Sequence, residues 1–102
     1  MERGLYKASF SGPLGSGNGV VDLDGNTFRG GDSMIAYTVT MTQTGDEIVA
    51  HLRTFRHSQG GFSVFGTDSV SITLRGRAAS STSLVLKADG VNFTVKLDRL
   101  AA

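Results

Sequence analysis

Two histidines, several carboxylates and a run of closely spaced glycines are the residues of this chain that could do chemistry. His51 and His57 are the only histidines, and six residues of extended strand span roughly 20 Å. They cannot share a metal ion unless the strand bends sharply. Serines and aspartates are plentiful, but no Gly-x-Ser-x-Gly elbow stands between a strand and a helix, so no nucleophile is marked out. Gly15-x-Gly17-x-Gly19 invites comparison with phosphate-cradling loops. Those loops lead into a helix whose first amides hold the anion, whereas a strand-like run follows here. Asp22-Leu23-Asp24-Gly25-Asn26 resembles the start of a calcium loop, yet the 12-residue spacing and the closing bidentate Glu are missing; Asp-Gly reads as a hairpin turn. Arg53, Arg56 and His57 gather near a strand end and read as a solvated rim. No enzyme, cofactor or metal site is expected.

Bulk composition narrows the classes further. A chain of 102 residues matches one domain, spanning 1–102, and should bury roughly two-thirds of its unfolded surface. Ten Lys and Arg stand against nine Asp and Glu, so no strong field is available for nucleic acid or an anionic membrane. The absence of cysteine removes disulfides, zinc-thiolate sites and thiol catalysis. No apolar leader and no run near ~18 apolar residues is present, which makes the expectation a cytoplasmic protein.

The elements that must position any site are strands. Tyr6, Ala8 and Phe10 alternate with polar residues over Leu5–Ser11, and Gly12-Pro13 ends that run before a glycine-rich loop to Gly19. Gly19–Leu23 and Asn26–Arg29 flank the Asp24-Gly25 turn. Ser33–Thr44 carries Ile35, Tyr37, Val39 and Met41 on one face and threonines on the other, as suits a half-buried pleated strand. After Gly45-Asp46, Glu47–His57 runs back. The irregular Ser58–Gly66 contains Phe62, Val64 and Phe65 and reads as a lid or plug over one end of the core. Val70–Arg75, Ser83–Ala88 and Val91–Asp98 complete the set, with Gly76–Ser81 and Asp89-Gly90 as turns.

No window shows helical periodicity, and turn signals recur at hairpin spacing, so the class is all-β. Sequential hairpins favour an eight-stranded up-and-down antiparallel barrel, which removes both sheet edges. Its interior would be lined by Ile35, Tyr37, Val39, Leu52, Ile72, Leu74, Phe93 and Val95. An eight-stranded barrel is just wide enough to be filled by side chains or to hold one small apolar ligand, and both remain open.

Gly4-Leu5-Tyr6 with Phe10, then Gly17-x-Gly19-Val20-Val21-x-Leu23, Gly30-Gly31-Asp32-Ser33 and Tyr37 resemble the GrlR-like family of negative regulators of type III secretion. Ser63-Val64-Phe65-Gly66-x-Asp68 and Leu97-x-x-Leu100 are further echoes. The resemblance implies a small lipocalin-like barrel that forms homodimers. It also implies a protein partner, a transcriptional regulator, engaged by an acidic hairpin turn. The family's acidic run of four maps onto Gln43–Glu47, where Asp46 and Glu47 are the acidic residues. Two charges attract a basic partner more weakly than four and are more easily screened.

Overall fold

The computed structural model describes residues 1–13, 15–59 and 69–102. Eight strands follow one another: β1 (Gly4–Gly12), β2 (Gly15–Asp24), β3 (Thr27–Gly31), β4 (Ile35–Thr44), β5 (Glu47–Arg56), β6 (Ser71–Ser80), β7 (Ser83–Ala88) and β8 (Thr94–Ala101). Each pairs antiparallel with the next, and β1 pairs with β8 to close the barrel. The expected architecture is therefore the observed one. Two tight hairpins bound β3 and β5 at one end, here called the bottom. There Asp24 pairs with Thr27 and Thr44 with Glu47, so the two-residue loops are Gly25-Asn26 and Gly45-Asp46. Gly25 and Gly45 take φ of 62° and 64°, the left-handed value that the first loop position of a type II′ turn needs. The β2–β3 turn thus sits one residue later than the Asp24-Gly25 dipeptide suggested.

Alternation along the strands builds the core. In β1, Tyr6, Ala8 and Phe10 are buried while Leu5, Lys7 and Ser11 face out; β4 buries Ile35, Tyr37, Val39 and Met41. Aromatic rings span the lumen between strands that are not neighbours. Phe10 of β1 meets Tyr37 of β4 edge-on with ring centroids 4.7 Å apart, and Tyr6 of β1 meets Phe28 of β3 at 5.1 Å and 85°. Such edge-to-face pairs are worth ~0.5–1.5 kcal/mol each beyond their buried area.

Several strand limits depart from the sequence reading. The stretch from Gly15 to Gly19 is not a loop but the first half of β2, laddered onto β1 from Gly12↔Gly15 down to Ala8↔Gly19. Extended glycine has no side chain to signal a strand, but the backbone pairing needs none. β6 continues through Gly76 to Ser80 because β7 pairs alongside it, with a register shift between Ala78 and Ser80. β8 starts at Thr94. Val91 is 57% exposed because the Phe93 amide turns back to the Val91 carbonyl, while the Phe93 ring still enters the core. Of Ser58–Gly66, Gly60–Gly66 lies outside the described residues, as does the Ser63–Asp68 echo.

Candidate functional site

Asp46 and Glu47 lie at the exposed bottom hairpin between β4 and β5. Gly45 sets the reversal, and the Gln43 side-chain amide donates to the Gly45 carbonyl at 3.0 Å. Asp46 and Glu47 do not stand alone there. Arg77 of β6 lies directly across from Glu47 in the ladder, and its Nη1 is 3.5 Å from Asp46 Oδ2. The pairing of β5 with β6 thus places a guanidinium against the carboxylates, offsetting part of their field. An exposed pair of this kind is worth only about 0–1 kcal/mol.

Of the eight residues expected inside, Ile35, Tyr37, Val39, Leu52, Leu74, Phe93 and Val95 are buried. Ile72 is partly buried against the same core, since it sits near the start of β6, where the barrel wall ends. Thr54 of β5 is the buried polar residue at that level, 1% exposed. It is satisfied on both counts: its amide donates to the Val70 carbonyl and its Oγ1 accepts from the Val70 amide, each at 2.9 Å.

A polar constellation that the sequence reading did not assemble sits at the top, the opposite end, on the β3–β4 turn. Asp32 Oδ1 accepts from the amides of Met34 and Ile35 at 2.9 and 2.8 Å. Its Oδ2 accepts from the Tyr37 hydroxyl at 2.9 Å. Burial pushes the Asp32 carboxyl pKa up, but the two amides, the Tyr37 hydroxyl and nearby His57 together bring it below its ordinary value. Tyr37 moves the other way: burial first, and then Asp32, raise its pKa. Tyr37 Oη also occupies the space that a Cβ on Gly19 would fill, and the Gly31 carbonyl oxygen lies 2.6 Å from that point. Gly19, Gly31, Asp32 and Tyr37 therefore form one tie between β2, the β3–β4 turn and β4. These residues all belong to the segment that carried the family resemblance, which is the signal that could have found them. Their joint role was invisible because Gly19 and Tyr37 meet only after β2, β3 and β4 have paired.

His57 joins the same tie from β5's end. A carbonyl only accepts, so Nε2 carries a proton and donates to the Asp32 main-chain oxygen at 2.9 Å, while Nδ1 and Ser58 Oγ share a hydrogen bond of 2.8 Å. The order Ser58, His57, Asp32 imitates a catalytic triad, but the third contact is a main-chain carbonyl. The Asp32 carboxylate bonds two amides and a phenol instead, so it does not orient the imidazole by a hydrogen bond as a triad aspartate does. His51 lies elsewhere, bonded to Ser71 Oγ at 2.8 Å on the outer wall. Among the described residues no three His, Cys, Asp or Glu side chains converge as a metal site. The rim residues have ordinary surface contacts: the Arg53 guanidinium lies 5.1 Å over the Phe55 ring, and Arg56 Nη1 donates to the Ser58 carbonyl at 3.0 Å. Asp24, of the calcium-like loop, faces Arg3 at 3.4 Å.

Among the described residues no helix is long and apolar enough to cross a membrane. No protein-family model matches the chain, and no curated protein matches it.

Proposed function

We propose that this chain is a non-enzymatic, cytoplasmic regulatory interaction module of the GrlR-like kind, acting as a homodimer and meeting its protein partner on the outer wall of the barrel. The observation that carries the reading is the contact of Phe10 with Tyr37 across the lumen. Rings on β1 and β4 that touch leave the wall between them lined by protein at that level, which favours an outer-surface function over a lodged apolar ligand. The partner's basic surface would meet the turn at Asp46 and Glu47. With Arg77 beside it, that contact is weak and salt-sensitive, as suits a regulatory encounter.

Tagged wild-type protein and a D46N/E47Q variant are compared for capture of a regulator from native lysate at low and high salt, with native mass spectrometry on the purified protein in parallel. A captured protein that salt releases and the variant loses supports the reading. Equal capture by both forms removes the acidic turn from it. A stoichiometric lipid on the purified barrel replaces it with a small apolar-ligand carrier.

A further inference from the structure

Among the described residues one edge of the barrel wall is left open. Val20–Asp24 of β2 pairs with β3, whereas Gly15–Gly19 pairs with β1 and, among the described residues, with no strand on its other side. Antiparallel strands bond through alternate residues to either side. The Asp32 amide donates to the Ile35 carbonyl and the Met41 amide to the Asn26 carbonyl, so the even-numbered residues along β3 bond toward β4 and the odd-numbered ones toward β2. Val20, Asp22 and Asp24, set against Gly31, Arg29 and Thr27, therefore bond to β3. Asn18 and Ser16 have the same phase two and four residues further on. Their N–H and C=O groups point to the same side, where β3 has already turned away, and both residues are exposed.

Edge strands are ordinarily guarded by a lysine, a proline or a bulge. Gly15-Ser16-Gly17-Asn18-Gly19 has none of these, and its register with β1 runs without a shift. We propose that this edge is the homodimer contact, with Ser16–Asn18 pairing antiparallel with the same segment of a second copy. The inference rests on the homodimer of the proposed function and gives it a surface. The segment reads nearly the same in both directions, so a two-fold axis through Gly17 sets Ser16 of each copy against Asn18 of the other, and both lie in the bonding phase. This is the isologous arrangement that a symmetric dimer requires. On the inner side the alternate residues are all glycine, so no side chain obstructs the approach. On the outer side Ser16 and Asn18 carry short uncharged side chains and both are exposed, so the joined sheet passes without a carboxylate or a bulky group at the seam. Little apolar area is covered, so the dimer is a weak one that forms with rising concentration.

Asn18→Pro tests it. The substitution removes an N–H that has no partner among the described residues and leaves the β1 ladder intact, so circular dichroism and the urea midpoint should match wild type. Sedimentation velocity over a wide concentration range should show wild type passing from monomer to dimer, and Asn18→Pro staying monomeric to at least ten-fold higher concentration. If the proline lowers the midpoint, Asn18→Lys, which keeps every main-chain bond and places a cation at the seam, is read by the same measure. A dimer that survives both substitutions places the two-fold elsewhere and overturns this surface while leaving the homodimer standing. Wild type that stays monomeric at every concentration overturns the homodimer itself. A monomer whose capture of a different protein is lost in Asn18→Pro overturns the second copy as occupant in favour of a foreign strand.

Discussion

Replacing Asp32 by alanine breaks the tie at the top of the barrel and exposes what it is worth. Two charge-assisted bonds from the Met34 and Ile35 amides are lost, and the Tyr37 hydroxyl loses its acceptor. Bonds to a charged group contribute ~1.5–3 kcal/mol each when well buried. Asp32 is partly buried, so the Met34 and Ile35 amides recover part of that from water. Tyr37 is 1% exposed, and a buried donor left without a partner costs ~1–3 kcal/mol. The expected loss for Asp32→Ala is therefore about 2–4 kcal/mol. At ~4–8 °C per kcal/mol for a domain of this size, the melting temperature should fall by about 8–32 °C. Asp32→Asn keeps an oxygen for the amides and should lose roughly 1 kcal/mol.

The pH dependence follows from the lowered carboxyl pKa. Because Asp32 ionises more readily in the folded chain than at its ordinary 3.8, its contribution is complete above the unfolded-state value and disappears as pH falls through the lower folded-state value. Urea unfolding of wild type and Asp32→Asn at stepped pH should therefore show a gap at pH 7 that closes in acid below pH ~4. A wild-type midpoint for Asp32→Ala, or an Asp32→Asn gap that persists unchanged in acid, would refute the reasoning.

Gly19→Ala drives a methyl group into the Tyr37 hydroxyl and against the Gly31 carbonyl, and should destabilise by ~1–3 kcal/mol, with a Gly19→Ala/Tyr37→Phe double variant recovering part of that in urea. Thr54→Val keeps shape but orphans the Val70 amide, a loss of about 1–3 kcal/mol measured as a shift in urea midpoint at constant slope. Leu52→Ala, at a fully buried position, should lose ~2–5 kcal/mol in the same assay.

How much of this was legible beforehand divides along physical lines. The period-2 alternation of Tyr6, Ala8 and Phe10, and of Ile35, Tyr37, Val39 and Met41, reports which side chains leave water, and burial of apolar surface is local enough to be read from pattern. Class, strand count and seven of the eight interior residues therefore came from the chain alone. Strand limits were missed where side chains are silent. Gly15–Gly19 and the Gly76 end of β6 became strands because a neighbour offered backbone partners, and those bonds do not depend on side-chain type.

The chemistry of the candidate sites lay beyond the sequence for a different reason. That Asp46 and Glu47 share a turn was evident; that Arg77 lies against them depends on the β5–β6 register, which is set by pairing between segments far apart in the chain. In the same way, the alternation marked Tyr37 as an interior residue and Gly19 stood in a glycine run, but nothing local says that the two meet. Tertiary pairing turned them into a lock, by bringing a phenol to the place where a Cβ would have stood. Sequence alone determined that this chain closes a barrel around apolar side chains, because alternation and turn chemistry act over a few residues. Only the tertiary structure decided which polar groups meet, and which backbone edge has no partner among the described residues, because those depend on where each strand stops relative to its neighbours.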